Sequence, residues 1–192
     1  MAENRVQFGL KNFHYAVITE AANGMITYST PTKVPGMVTL SLEVKGETSD
    51  FYADDIIYFT TSSNQGYDGT VEFAKLTEAF RTEVLGETLD PTSKVLIEKA
   101  DAKPKKIACM FEFDGDVKAT RRLLTYCTVN RPGLASETKT ESSEPGTVEL
   151  SFVASPRPTD NVVKIETGSE TTEAVYNSWY TTVFAPTTTP TT

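Results

Sequence analysis

The sequence predicts a mainly β protein, an antiparallel β-sandwich or barrel with a flanking short helix and a C-terminal helix. Hydrophobic and polar residues alternate with period two through most of the chain, as they do in half-buried strands. Turn-forming residues separate the alternating stretches, and about eight short strands at such spacing are typical of antiparallel architectures. Because the composition stays uniform, we expect one domain over residues 1–186 and a disordered tail over 187–192.

The clearest strand is GMVTLSLEVKGE (36–47), in which apolar and polar residues alternate. The stretch SDFYADDIIYFTTS (49–62) follows a short turn and is expected to be its partner strand. Adjacent residues of a strand project to opposite faces, so Asp54 and Asp55 are not expected to share a proton or a metal ion. We therefore interpret this acidic dipeptide as structural rather than catalytic.

Five later stretches continue the alternation. They are GTVEFAKL (69–76), KIACMFEF (106–113), RRLLTYCTV (121–129), GTVELSFVA (146–154) and NVVKIET (161–167). A hairpin loop at FDGDVKAT (113–120) would place Phe113 opposite Leu123 or Arg122 and would bring Cys109 near Cys127. Both thiols would then lie in apolar surroundings, so we expect core thiols rather than a disulfide or a redox pair.

The opposite face of this predicted hairpin has mixed character. It carries Met110, Glu112 and Asp114 on the first strand and Arg122 and Leu124 on the second. A mixed face suits a surface that meets water or neighbouring molecules, so we expect these side chains to be accessible.

One short helix is predicted in the middle of the chain. Thr77 can cap TEAFRTEVL (77–85), which places Phe80 and Val84 on one face. The helix should end at Gly86, since a glycine readily adopts the left-handed conformation that follows many helices.

A second helix is predicted at TTEAVYNSWYTTVFAP (171–186), ended by Pro186. Val175, Trp179 and Val183 recur at intervals of four residues and form its docking face. Tyr176, Tyr180 and Phe184 run beside them and broaden the apolar stripe. Trp179 is therefore expected to be a core residue rather than part of a ligand platform.

Charge and composition restrict the possible functions. The 192-residue chain has a formal net charge of −8 and a pI near 4.8. Without a basic cluster, tight nucleic-acid binding is not expected, and an anionic surface would let DNA pass without adhering. The sequence shows neither a signal peptide nor an apolar run long enough for a membrane span, so we expect a soluble protein made in a cytoplasm.

No motif with catalytic, cofactor-binding or metal-ligating spacing is found in the sequence. His14 is the single histidine, which leaves little for an acyl-transfer triad. The DGD of residues 114–116 lacks the further acids that a calcium loop requires. Phosphate loops, dinucleotide fingerprints and zinc spacings are likewise missing from the sequence. We expect neither an enzyme nor a cofactor.

Two irregular segments, 19–36 and 131–145, are longer than a compact monomer needs. Each has some strand character, at residues 25–28 and 138–141 respectively. Such segments can add to the sheet of another subunit, because main-chain pairing supplies affinity without a special sequence. Two surface loops would fit the sequence equally well.

The order of these features resembles the major tail tube proteins of long-tailed (siphovirus-type) phages of Gram-positive bacteria. The resemblance covers residues 5–186 and rests on linked segments rather than on a single motif. The segments are VQFGLKNFHYAVIT, VPGMVTLSLEVKGETSDFYADD, GYDGTVEFAKLTEAFRTEVLGE, FEFDGDVKATRRLLTYCTVNRP and VYNSWYTTVF.

The resemblance implies a virion protein of the tail, assembled in the cytoplasm of the host bacterium. Six copies would form a ring whose inner sheets join into one barrel, and rings would stack head to tail into a tube. The tube would form around a tape-measure protein, between distal tail proteins and a tail-terminator protein. It would conduct DNA into the host without binding it specifically.

The resemblance also suggests which surfaces serve assembly. Candidate acids for the lumen are Glu43, Asp54, Glu72, Glu112 and Asp114. The stretch that contains Asp54 would belong to a long hairpin that lines the lumen or meets another subunit. Segments 19–36 and 131–145 are candidate contacts between rings, assisted by residues 1–12.

Three other interpretations remain open at this point. A monomeric binding module, Ig-like or carbohydrate-binding, would use Trp179 and the tyrosines as an exposed platform. A hydrolase would need an acid pair such as Asp54 with Glu72. A tail-terminator or neck protein of similar fold would form one ring and would not stack.

Overall fold

The computed structural model describes residues 3–134 and 146–186. Within these residues the chain forms thirteen strands and two helices. The strands are β1 (Gln7–Glu20), β2 (Ile26–Tyr28), β3 (Thr32–Lys33), β4 (Met37–Lys45), β5 (Thr48–Ala53), β6 (Ile56–Ser62), β7 (Gly66–Phe73), β8 (Thr88–Leu89), β9 (Leu96–Ile97), β10 (Ile107–Gly115), β11 (Thr120–Val129), β12 (Val148–Ala154) and β13 (Lys164–Glu166). The helices are α1 (Glu78–Glu83) and α2 (Glu173–Ser178).

Nine of these strands form one antiparallel sheet. Its main order is β2-β1-β10-β11-β12-β7-β4, with β13 paired to β11 and β3 paired to β1. Two small ribbons, β5–β6 and β8–β9, stand outside this sheet. The prediction of a mainly β, antiparallel protein with two short helices is confirmed.

The sheet folds over so that its two halves enclose the main core. We call β1, β10 and β11 the first half and β12, β7 and β4 the second half. Phe13 and Phe111 from the first half pack in one cluster with Val71 and Phe152 from the second, and α1 adds Phe80. The period-two pattern produces this arrangement, because alternate residues of each strand turn toward the same interior.

A second apolar cluster covers the other face of the first half. Ala108, Met110 and Leu123 lie beneath Trp179, which is only 3% exposed. Sequence reasoning assigned Met110 and Leu124 to a face that meets water or neighbouring molecules, and both assignments are wrong. Leu124 is fully buried in the main core. The face of β10 and β11 that carries Met110 is not open to water either. The C-terminal segment (residues 173–184) covers it instead.

Helix α1 forms as predicted. The Thr77 side chain accepts a hydrogen bond from the Phe80 N–H at 3.2 Å, which caps the first turn. Phe80 and Val84 are fully buried, and Gly86 has a φ of +80° just after the helix. The sequence pattern therefore predicts both the start of this helix and the turn that follows it.

Helix α2 is shorter than predicted. It ends at Ser178, after which the Trp179 N–H donates to the Tyr176 carbonyl in a three-residue turn. The β-branched residues that follow lose side-chain freedom in a helix and favour this early end. The docking face nevertheless reaches the sheet, since Val175, Trp179 and Val183 all belong to the second cluster.

The stretch 49–62 is two strands rather than the predicted one, and these strands pair with each other. The predicted pairing with β4 is wrong, since β4 pairs with β7. Asp54 and Asp55 have φ values of +53° and +63° and form a two-residue turn between β5 and β6. Positive φ at both central residues defines a type I′ turn, whose twist matches that of a hairpin, and aspartate tolerates it. The two acids therefore lie at a hairpin tip and not within a strand.

The segment 19–36 pairs with its own chain. β2 lies along β1 with Ile18 opposite Tyr28, and β3 lies along β1 with Tyr15 opposite Thr32. The predicted strand character near residues 25–28 is confirmed, but its pairing is internal.

Other predicted assembly segments are docked or lie elsewhere. At the N-terminus the side chain of Asn4 bonds the turn between β10 and β11, with its Oδ1 accepting from the Lys118 N–H at 3.0 Å. Residues 135–145, which hold the predicted strand 138–141, lie outside the described residues, as does the predicted tail 187–192.

The two cysteines are close, although not in the predicted register. Phe113 lies opposite Thr120 rather than Leu123 or Arg122. A register shift between Ile107 and Cys109 then brings Cys109 and Cys127 together as free, buried thiols. Burial raises the pKa of the Cys127 thiol, which keeps it protonated and unreactive.

The close contact of β7 with β12 generates a stability prediction. A Cβ built on Gly69 would lie 2.3 Å from the ring of Phe152, so Gly69→Ala must displace a buried aromatic ring. We expect a loss of about 1–3 kcal/mol in the free energy of unfolding. Urea denaturation of the unassembled protein measures it. Gly168→Ala is the matched control, because nothing lies within 4 Å of its added Cβ. Equal midpoints for the two variants would contradict the packing described.

Candidate assembly surfaces

The outward side of the second half of the sheet is polar and anionic. The strand register places Glu72 between Thr39 of β4 and Glu149 of β12, and it places Asp68 beside Glu43. We call Glu43, Asp68, Glu72 and Glu149 the acidic face. Serine and threonine residues fill the positions between these acids, namely Thr39, Ser41, Thr70 and Ser151.

The alternation of the sequence creates this face. In β4 the side chains of Leu40 and Leu42 turn to the core, which leaves their neighbours on the outside. Thr39 donates a hydrogen bond to Glu72 at 2.8 Å, and Lys45 contacts Asp68 at 3.4 Å. Both partners of that ion pair are exposed, so the lysine neutralises the face weakly and the face stays anionic.

Two of the predicted lumen acids, Glu43 and Glu72, meet on this face. Sequence reasoning missed Asp68 and Glu149, although the alternation that selects Glu72 also selects both of them. Asp54 lies apart, at the tip of the β5–β6 ribbon. The length of β4 and of that ribbon separates Asp54 from Glu72, which contradicts a hydrolytic acid pair of these two residues.

Glu112 is wrong as a lumen-facing acid, because its side chain is buried beneath the C-terminal segment. The residue is 3% exposed and accepts three hydrogen bonds. They come from Arg121 Nε at 3.0 Å, Asn12 Nδ2 at 2.7 Å and the Tyr180 hydroxyl at 3.0 Å. Burial and the adjacent carboxylate raise the pKa of Tyr180. Glu112 therefore holds the C-terminal segment to the sheet.

Asp114 also lies away from the acidic face. It belongs to β10 in the first half and forms an ion pair of 2.8 Å with Lys11 of β1. The alternating pattern of the sequence grouped Asp114 with the other acids, whereas the fold places Asp114 near the N-terminal end of β1.

His14 and Trp179 have structural roles. The His14 ring stacks on Tyr180 at a centroid distance of 4.4 Å, and burial lowers its pKa. Trp179 stacks on Phe184 at 5.9 Å in the second cluster. Because Trp179 is buried, it cannot provide the exposed aromatic platform that a carbohydrate-binding module would need.

The β5–β6 ribbon, which we call the apolar hairpin (residues 48–62), presents large apolar side chains to solvent. On one face lie Phe51, Ile56 and Phe59, each 62% exposed. The other face carries Tyr52 at 62% and Ile57 at 53%. An isolated two-stranded ribbon is marginally stable, and exposed apolar patches of this kind mark interaction sites.

The apolar hairpin continues the β4–β7 ladder outward. Gln65 N–H donates to the Lys45 carbonyl at 2.8 Å, and Ser63 N–H donates to the Glu47 carbonyl at 3.0 Å. At about 3.3 Å per residue, the chain from Lys45 to Ala53 carries the tip up to roughly 26 Å beyond the sheet. The hairpin is therefore a projection and not part of the core.

Two strand edges of the second half are open in the part of the chain that the structure describes. β4 pairs with β7 on one side and with no strand on the other. β12 pairs with β11 only from Phe152 to Ala154, which leaves the edge of Val148–Leu150 free. Open edges present unpaired backbone groups and are templates for pairing with another chain.

The described residues contain no group of three or more histidine, cysteine, aspartate or glutamate side chains placed to hold a metal ion. In the same residues, no helix combines the length and the apolar character needed to cross a membrane.

Comparison with known proteins gives one extensive match. The sequence model of the family described as "Phage tail tube protein" matches residues 2–189. No curated protein sequence matches the chain.

Two solved structures are similar at low identity. One is an extracellular contractile injection system, the PVC sheath–tube complex in its extended state. Its sequence identity with this chain is 12% and the TM-score is 0.47. The alignment covers 85% of this chain and 93% of that chain. The other is the anti-feeding prophage cap, a tube-terminating cap, with a sequence identity of 11% and a TM-score of 0.44. The alignment covers 88% of this chain and 97% of that chain.

The buried position of Glu112 predicts a strong effect of its neutralisation. Glu112→Gln replaces an acceptor by an amide that cannot satisfy Arg121, Asn12 and Tyr180 together. We expect a loss of about 3 kcal/mol in the free energy of unfolding, measured by urea denaturation with Trp179 fluorescence. Glu149→Gln, on the exposed acidic face, is the control and should change stability by less than about 0.5 kcal/mol. If the two variants behaved alike, Glu112 would not anchor the C-terminal segment.

Proposed function

The chain belongs to the phage tail tube protein family, and on this premise we propose that six copies form a ring and that rings stack head to tail into the tail tube. Family membership makes the chain a structural component of the virion tail and not an enzyme. We further propose that the phage is of the long-tailed type that infects Gram-positive bacteria, and that assembly takes place in the host cytoplasm.

One observation supports the ring above all others: in the described residues the second half of the sheet has a polar outer face, an open edge along β4 and a partly open edge along β12 at Val148–Leu150. A monomer gains nothing from open edges, which are a liability in water. The free edge of β4 in one copy can pair with the free edge of β12 at Val148–Leu150 in the next. Repeating this heterologous contact around an axis closes a ring and joins the sheets into one barrel.

The acidic face is then the lining of the lumen. Glu43, Asp68, Glu72 and Glu149 would repeat around each ring and along the stack. Their field repels the phosphates of DNA, while the serine and threonine hydroxyls between them keep the surface hydrated. DNA would pass without specific binding, which is what a conduit for genome ejection requires.

The partners follow from this arrangement. A tape-measure protein would occupy the lumen during assembly and would leave it before DNA passes. Distal tail proteins and a tail-terminator protein would cover the two ends of the stack. The proteins at the two ends would bind surfaces that every ring presents, so they need no site outside the contacts between rings.

Electron microscopy of the purified protein tests the proposal directly. We expect long hollow tubes of uniform width in negative stain at neutral pH, together with a concentration-dependent mass in solution. Single rings that never stack would favour a tail-terminator or neck protein instead. A monomer that persists even when preformed tail tips are added would refute the tube.

Charge reversal in the lumen should make the tube retain DNA. We expect Glu43→Lys and Glu72→Lys tubes to co-sediment several-fold more short duplex DNA than unmodified tubes, and added salt should abolish the difference. Glu173→Lys, on the C-terminal segment at the opposite side of the molecule, is the matched control with the same charge change. Equal retention by the three variants would show that the acidic face lies outside the lumen.

A further inference from the structure

We propose that the outer edge of β1, from Gln7 to Asn12, is closed to strand pairing, so that copies of the chain cannot join through it. The outer edge is the side of β1 that faces away from β10. Among the described residues no strand pairs with this stretch, because β3 pairs with residues 14–15 of β1 and β2 with residues 18–20. The inference goes beyond the proposed function, since it concerns a surface through which the chain does not assemble.

An unprotected edge at this place would be a hazard to the chain. Val6 is 55% exposed and Phe8 is 58% exposed, so apolar side chains accompany the open backbone groups. Exposed edges of this kind are sites of aggregation. Two copies of β1 could pair about a twofold axis, and such a contact closes on itself as a dimer. A dimer of this kind would withdraw chains from any larger assembly.

Two bulges interrupt β1 along this edge. The register with β10 shifts at Gly9 and again across Asn12 and Phe13. Gly9 has a φ of +65° and Asn12 has a φ of +57°. A bulge leaves its extra residue unpaired, bends the strand and increases its twist. Only Leu10 and Lys11 lie between the two bulges, so an incoming strand would meet no longer regular stretch there.

Side-chain contacts hold the second bulge and add a charge to the edge. The Asn12 side chain donates to Glu112 Oε1 at 2.7 Å, and His14 Nδ1 donates to the Asn12 carbonyl at 2.8 Å. Lys11, between the bulges, forms its 2.8 Å ion pair with Asp114. A lysine on an edge strand opposes pairing with another chain, as a bulge does. The same short stretch therefore carries three obstacles to strand addition.

The edge of β4 is regular by comparison. Its register with β7 runs from Thr39 to Lys45 without a shift, and the one irregularity of β4 lies before Thr39. A second chain could therefore pair along β4 over a length that β1 does not provide. The difference between the two edges directs strand pairing to the second half of the sheet and away from the first.

Valine at the two bulges should open the edge of β1. Gly9→Val with Asn12→Val places β-branched residues where φ is positive, so β1 should shift toward a regular strand. The matched control is Gly9→Asn with Asn12→Gly, because asparagine and glycine both accept positive φ. Both double variants lose the Asn12 amide that bonds Glu112. The loss of that bond is therefore common to the two proteins.

Lys11→Cys, added to both double variants, reports pairing through the edge. The proteins are oxidised with copper phenanthroline at a concentration too low for tube formation. We expect several-fold more disulfide-linked homodimer from the valine variant than from its control. Titration of the reactive thiols verifies the fold, since Cys109 and Cys127 are buried and only the new thiol should react. A folded valine variant that forms no more dimer than its control would overturn the inference.

A single substitution covers the case in which the double valine variant unfolds and exposes all of its thiols. Gly9→Val leaves the bond between Asn12 and Glu112 in place, and Gly9→Asn is its control. An excess of dimer from Gly9→Val, again read through Lys11→Cys, supports the closed edge, and equal yields overturn it. Tube formation by the unmodified protein is a separate test. Its failure would count against the proposed function and would leave the closed edge of β1 standing.

Discussion

Burial of strand β10 on both faces is the constraint on which the rest of the structure depends. From Ile107 to Glu112 every residue is buried, with alternate side chains entering two separate apolar clusters. A strand buried in this way must be covered from both sides. The second half of the sheet covers one side and the C-terminal segment covers the other. Among the described residues, the broad sheet face left to solvent is then the outer face of β4, β7 and β12, where Glu43, Asp68, Glu72 and Glu149 lie.

The buried Glu112 network shows how the outer layer is held. A helix of six residues is too short to be stable alone, so α2 and the turns after it depend on tertiary contacts. Arg121 supplies several of them, since it pairs with Glu112, stacks 3.8 Å from the Tyr176 ring and donates to the Tyr176 carbonyl. Two charges are thereby neutralised under an apolar lid. The chain therefore contains acids with different roles. Glu112 holds the C-terminal segment to the sheet, whereas Glu72 contributes negative charge to the acidic face.

Local patterns in the sequence were sufficient for some features and not for others. Alternation placed Glu43 and Glu72 on one face, and the Thr77 cap with Gly86 fixed α1, because both signals act within a few residues. Asp54 and Asp55 misled because a type I′ turn is usually marked by glycine, and this one is not. The position of Glu112 was wrongly predicted because the alternating pattern shows which face of the strand a residue lies on, but not whether another segment covers that face.

Assembly places the remaining exposed features in one scheme. The apolar hairpin and the open edges of β4 and β12 are costly in an isolated chain, and each would gain stability against a complementary surface. In the proposed ring the edges would pair sideways and close on themselves, which would limit the number of copies. In the proposed stack the contacts along the axis would never close, because each added ring presents a new free surface. A tube built in this way has no length encoded in its own contacts. Its length must be set by a separate component, which is the physical reason for a tape-measure partner in the proposed assembly.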